Sequence, residues 1–143
     1  MGIMVRSTFP VALLIAALVT GSCGGPLAPS DNTIETFSGT VALQNIMVHV
    51  FDVPNLGEFK VTVRAFSAGN PVVGIFWGGS PDGVNCQTSG YNASLNVSQI
   101  DKSPLSGPVY AKGKYCVELF DPALVGGVPM IIPQTYRIEV SHP

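Results

Sequence analysis

From residue 33 onward, apolar and polar side chains alternate in short bursts broken by glycine, proline and asparagine. The clearest burst is 58–66. Phe59, Val61, Val63 and Ala65 fall on one side and Lys60, Thr62 and Arg64 on the other, the period-two pattern of a half-buried antiparallel strand. Thr33–Val41, rich in β-branched and aromatic residues, predicts a first strand. Ile46–Val53 predicts a second, with Ile46, Val48 and Val50 sharing a face and His49 turned the other way, towards solvent. The nearly continuous apolar run 72–77 suits a central strand. Weaker strands are expected over 84–89 and 93–100, the second with Leu95 and Val97 as core candidates. Residues 114–120 place Tyr115, Val117 and Leu119 on one face, and 134–140 turn Tyr136, Ile138 and Val140 inward. Between these lie turns at 54–57, 67–71 and 78–83, a loop over 101–108 and a long connection over 121–133. His142, next to the chain end, is expected to be frayed. No segment carries helical periodicity over ten residues. Seven to nine short strands at this spacing predict an all-β, antiparallel sandwich or barrel.

The first thirty residues follow a different pattern. Arg6 precedes nine consecutive apolar residues, 11–19, and these lead through Thr20, Gly21 and Ser22 to Cys23. A charged start, a short apolar core and small residues before a cleavage point describe an export signal. A membrane span needs roughly 18 apolar residues, about twice what is present, and Pro10 and Gly21 bound the run. The expected organisation is therefore a signal peptide over 1–22, a flexible tether over 23–33 and a sandwich domain over 34–143.

Composition narrows the function classes. Loss of residues 1–22 leaves 121 residues, enough for one core, with six Lys/Arg against nine Asp/Glu. This mild acidity offers no footprint for nucleic acid. Charged residues make up 11% of the chain against a usual share of roughly 25%, so Ser, Thr, Asn, Gln and Gly must cover the solvent face. Of three cysteines, Cys86 and Cys116 form an even pair in an exported chain. A bridge between them would close a loop of about thirty residues and contribute roughly 3–4 kcal/mol; the alternative is two separate buried thiols.

The motif search finds no catalytic, metal or cofactor constellation. Residues 107–114 have one residue too many between their glycines for a phosphate-binding loop, and Ser80 lacks the surroundings of a nucleophile elbow. Two histidines without Cys/His spacing do not make a zinc site. Asp52, Glu58, Asp101 and Asp121 suit turns and solvation. Two features suit binding. Trp77 closes an apolar strand beside two glycines, either as core or as a flat face for a sugar. The 125–133 connection is apolar for a loop, with Met130, Ile131 and Ile132 at its centre. It either folds over the end of the sandwich or meets a partner or bilayer.

Two resemblances add to this reading. Thr20-Gly21-Ser22-Cys23 resembles the lipobox of bacterial lipoproteins, with Thr20 where that family prefers leucine. The resemblance implies cleavage before Cys23, diacylglycerol on its thiol and acylation of its amine. The rival reading is ordinary signal cleavage with a spare thiol. Gly24, where aspartate would imply inner-membrane retention, implies the outer membrane in a host that has one. The strand succession 46–53, 58–66 and 72–77, the segment Ala111-Lys112-Gly113-Lys114-Tyr115-Cys116-Val117 and the terminal Tyr136-Arg137-Ile138-Glu139-Val140 look like the bacterial pre-peptidase C-terminal domain. That implies a jelly-roll-like sandwich of a secreted protein. Some relatives bind calcium through acidic residues near the domain start, where this chain has only Asp31 and Glu35.

The expectation is a non-enzymatic, lipid-anchored module of the cell envelope that binds a protein or polysaccharide without a cofactor. The alternative is a structural component of the outer envelope. An enzyme with chemistry hidden in its tertiary structure ranks last.

Overall fold

The computed structural model describes residues 31–67, 72–87 and 90–143. Cys23, the apolar run 11–19 and most of the expected tether lie outside them. Eight strands form: β1 (Thr33–Val41), β2 (Ile46–Val53), β3 (Gly57–Phe66), β4 (Val73–Gly79), β5 (Tyr91–Leu95), β6 (Leu105–Val109), β7 (Gly113–Phe120) and β8 (Gln134–His142). They make two four-stranded antiparallel sheets, in the orders β1-β8-β3-β6 and β2-β7-β4-β5. Every connection except that from β4 to β5 crosses between the sheets. This is the jelly-roll arrangement of a β-sandwich.

The core is the side chains that the two inner faces direct at one another. Val61, Val63, Ile138 and Val140 come from the first sheet, and Ile75, Leu95, Val117 and Leu119 from the second; all eight are fully buried. The β4 strand lies inside its sheet, between β7 and β5, as its unbroken apolar run requires.

Register assigns the loops to two ends. Thr33 pairs with His142 and Val41 with Gln134, while Val53 pairs with Gly113 and Ile46 with Phe120. Both termini of the domain therefore share one end with the β2–β3, β4–β5 and β6–β7 connections. The β1–β2, β3–β4, β5–β6 and β7–β8 connections occupy the other, distal end.

Several local expectations change. On β2 the inward face is Met47, His49, Phe51 and Val53, while Ile46, Val48 and Val50 point outward. Both faces of this strand are apolar, so alternation could not choose between them; the bulkier Met and Phe occupy the core. A bulge between Val63 and Ala65 shifts the parity of β3, leaving Ala65 half-buried and Phe66 inside. Of the strand expected over 84–89, residues 84–87 form no strand, and 88 and 89 lie outside the described residues. Instead the Asp82 Oδ1 atom accepts from the amides of Val84 (2.9 Å) and Asn85 (2.8 Å), which winds the chain into turns.

The 93–100 expectation splits in two. β5 ends at Leu95, and Asn96 caps a 3₁₀ turn, Val97–Gln99, that leaves Val97 outside the core. The 101–108 loop instead contains β6, an edge strand, where Pro108 costs the ladder little. His142 is not frayed. It extends β8, is 2% exposed, stacks on Phe51 at 4.9 Å and donates through Nε2 to Glu35 at 3.0 Å.

Candidate functional site

Cys86 and Cys116 form a disulfide, with Cα atoms 5.6 Å apart. It pins the 80–87 loop to β7 at the end of the domain that carries the termini. Gln87 donates its amide to Gly79 O at 2.8 Å, and Ser80 donates its own to Lys114 O at 2.9 Å. These bonds and the disulfide tie the glycine-rich end of β4 to Gln87 and to β7.

Three tyrosines surround this end of β4. Tyr91, Tyr110 and Tyr115 border a shallow dip of about 190 Å³ with Gly78, Gly79, Gly90 and Pro108 beneath and beside them. Tyr110 is 81% exposed and Tyr91 41%. The Tyr115 hydroxyl donates to Ala111 O at 2.9 Å, which fixes the β6–β7 turn that carries Tyr110. Tyr91 lies flat across Gly107: a Cβ there would come within 2.7 Å of the ring. Only glycine admits the ring at that depth.

Two of the rings, Tyr91 and Tyr115, are held from inside. Tyr91 packs on Phe59 at 5.3 Å, Phe59 on Trp77 at 3.8 Å, and Trp77 on Tyr115 at 5.5 Å. A single aromatic column thus runs from the surface into the core and back out. Trp77 itself is 2% exposed. It supports the dip from below and offers no ring face to a ligand, so its candidate role as a sugar platform is withdrawn. The tyrosines take that place. No local pattern in the sequence marks them, because they lie on three different segments, Tyr91 on β5, Tyr110 in a turn and Tyr115 on β7, which only the fold brings together.

The 121–133 connection divides along similar lines. Asp121, 1% exposed, accepts from the amides of Gln44 (2.9 Å), Ala123 (3.0 Å) and Met130 (3.1 Å), and so ties the β1–β2 loop to the β7–β8 connection. Burial pushes its pKa up, but these three amide bonds together outweigh that and bring it below the ordinary carboxylate value. Met130 is 5% exposed and belongs to the core, so it is not an available binding residue. Ile131 is 81% exposed and Ile132 half exposed; with Val125 and Val128 they form a charge-free aliphatic cap at the distal end.

His49 faces inward. Its ring stacks on Phe37 at 4.6 Å, and Nε2 lies 2.6 Å from the Tyr136 hydroxyl. Burial lowers the pKa of His49 and raises that of Tyr136 to about 12. On the outer face of the first sheet, Arg64 binds Glu139 at 2.8 Å and Asp101 at 3.1 Å. Among the described residues no three His, Cys, Asp or Glu side chains gather closely enough to hold a metal ion.

The chain matches no protein-family model, and comparison with curated proteins likewise finds no match.

Proposed function

We propose that this protein is a lipid-anchored, non-enzymatic binding module of the cell envelope that takes a polysaccharide at its tyrosine-lined end. One observation carries the reading: Tyr91, Tyr110 and Tyr115 border one shallow, glycine-floored dip. The axial C–H groups of a pyranose ring are weakly positive, and the face of an aromatic ring is negative, so the two stack. Tyr91 and Tyr115, already fixed by packing, lose little entropy on binding. A shallow, open dip suits a sugar within a longer chain better than an enclosed small molecule.

Cys23 supplies the anchor in this reading, with the outer membrane as the address where the host has one. The resemblance to pre-peptidase C-terminal domains, sandwiches of secreted proteins, points to the same compartment. A tether of about ten residues reaches roughly 15–20 Å. Because β1 starts at the tyrosine end, that end stands nearer the anchor than the aliphatic cap.

The test is binding of the protein to solubilised peptidoglycan and to a panel of β-linked glucan and xylan oligosaccharides. At least one should bind, and Tyr110→Ala and Tyr91→Ala should each weaken it about tenfold or more with the fold intact. No binding across the panel, or binding indifferent to both substitutions, would overturn the glycan reading. For the anchor, Cys23→Ser should abolish fatty-acid labelling and release the protein from membranes.

The aliphatic cap favours a second reading, a structural component assembled through its distal end. Replacing Val128, Ile131 and Ile132 together with serine should then disturb envelope assembly while leaving the fold unchanged. Met130 is left alone because it is part of the core.

A further inference from the structure

The outer faces of the two sheets differ in kind. On the first sheet, Lys60, Thr62, Arg64, Arg137, Glu139 and Ser141 point to solvent. On the second, the outward positions of its inner strands and β2 are largely apolar. Phe76 and Phe120 stack there at 4.7 Å, and Ile46, Val48 and Val50 flank them from β2. Gly74 lies directly under the Phe120 ring, where a Cβ would come within 2.2 Å of it. The ring therefore lies flat and walls a dip of about 360 Å³ with Phe76 and Val125.

A carboxylate stands in the middle of this face. Glu118 pairs in register with Val48 on one side and Phe76 on the other, and it is 7% exposed. No hydrogen bond or ion pair reaches it from any described residue. The cation four residues away on its own strand, Lys114, is bound to Asp52 at 3.0 Å. Burial raises the pKa of Glu118. Its carboxylate oxygens still reach solvent, so the charge is hydrated in the free protein while its apolar surroundings give it no counter-charge among the described residues.

We propose that the outer face of the second sheet docks a polypeptide partner that seats one Lys or Arg against Glu118 and an adjacent aliphatic side chain in the Phe76–Phe120 dip. Charge and spacing select this occupant. Residues two apart on a strand lie about 6.6 Å apart, so Glu118 and the dip beside Phe120 match a cation and an aliphatic group two residues apart on an extended segment. An anionic bilayer would be repelled by the carboxylate, and a neutral sugar would leave it unpaired. A two-fold pairing of this face with a second copy would bring two Glu118 carboxyls together, which like-charge repulsion opposes.

The experiment titrates the protein with nine-residue synthetic peptides of Val, Leu and Thr that differ only at the central position, holding Lys, Arg, Gln or Glu. Affinity is measured by fluorescence anisotropy, and the contact surface by NMR shifts. Peptides centred on Lys or Arg should bind at least tenfold tighter than the Gln peptide, with shifts at Val48, Phe76 and Glu118. Glu118→Gln, an isosteric change, should erase that preference, and Glu118→Lys should transfer it to the Glu-centred peptide. Val48→Ser should weaken all the peptides while leaving the order intact. The proposal fails if no peptide binds, if the preference survives Glu118→Gln, or if the shifts map elsewhere. A dimer assembled through this face, detected by sedimentation, also overturns it.

Discussion

Phe59 of β3 and Trp77 of β4 stack face to face across the sandwich, their ring centres 3.8 Å apart and their planes 4° from parallel. The pair joins the two sheets at the centre of the aromatic column that ends in Tyr91 and Tyr115. Trp77→Ala should therefore lower unfolding stability by about 3–5 kcal/mol, the usual cost of emptying a large aromatic site, and Trp77→Phe by less. Urea denaturation followed by circular dichroism measures this. A loss below about 1 kcal/mol for Trp77→Ala would contradict a central packing role.

The disulfide should act mainly on the unfolded chain. Serine at both Cys86 and Cys116 should reduce stability by about 3–4 kcal/mol, as expected for a loop of this length on the chain-entropy account. The denaturant slope should rise as well, because an unbridged unfolded chain exposes more surface. A change in slope without a change in midpoint would contradict this expectation.

Asp121 holds two distal loops with one carboxylate. Asp121→Ala removes the N-cap of the short 3₁₀ turn Pro122–Val125 and strands the amides of Gln44 and Met130, at a cost of at least about 1–3 kcal/mol. Those two amides should also exchange hydrogen faster than the rest of the core, which hydrogen-exchange mass spectrometry can read. The folded pKa of Asp121 is depressed, so its contribution is present above the ordinary carboxylate pKa and is lost as pH falls through the folded value.

Asp82 is a sharper acid sensor. The Val84 amide, then the Asn85 side chain and the Asn85 amide, pull its pKa from 3.8 to about 2. Its support of the 80–87 turns is therefore complete above the unfolded value and disappears as pH falls towards 2. Asp82→Asn should flatten the stability profile across that interval. Thermal unfolding at successive pH values provides the comparison.

His49 and Tyr136 set the profile at higher pH. Because burial depresses the folded pKa of His49, the unfolded chain takes up protons first as pH falls below 6.5, and stability should decline there. His49→Gln should remove that slope. Tyr136 works on the alkaline side: its folded pKa of about 12 lies above the ordinary 10.0, so stability should fall as pH rises between the two. Tyr136→Phe should abolish the alkaline slope and cost about 0.5–1.5 kcal/mol for the lost hydrogen bond.

The sequence by itself determined the fold class. Alternation over β3 and β8, continuous apolarity over β4 and regular Gly/Pro punctuation marked an all-β antiparallel sandwich or barrel, and the bounds of β1 and β2 follow from residue type alone. An even pair of cysteines was enough to expect the disulfide. Tertiary structure decided whatever depended on a choice of face or on distance across the chain. β2 is apolar on both sides, so only packing against Phe37 and Tyr136 turned His49 inward. Local polarity hid β6, whose place at a sheet edge excuses its proline. The tyrosine-lined dip and the apolar setting of Glu118 were invisible because their members are distant in sequence. A chain reports its own periodicities, but not which of its surfaces will meet or which will be left without a counterpart.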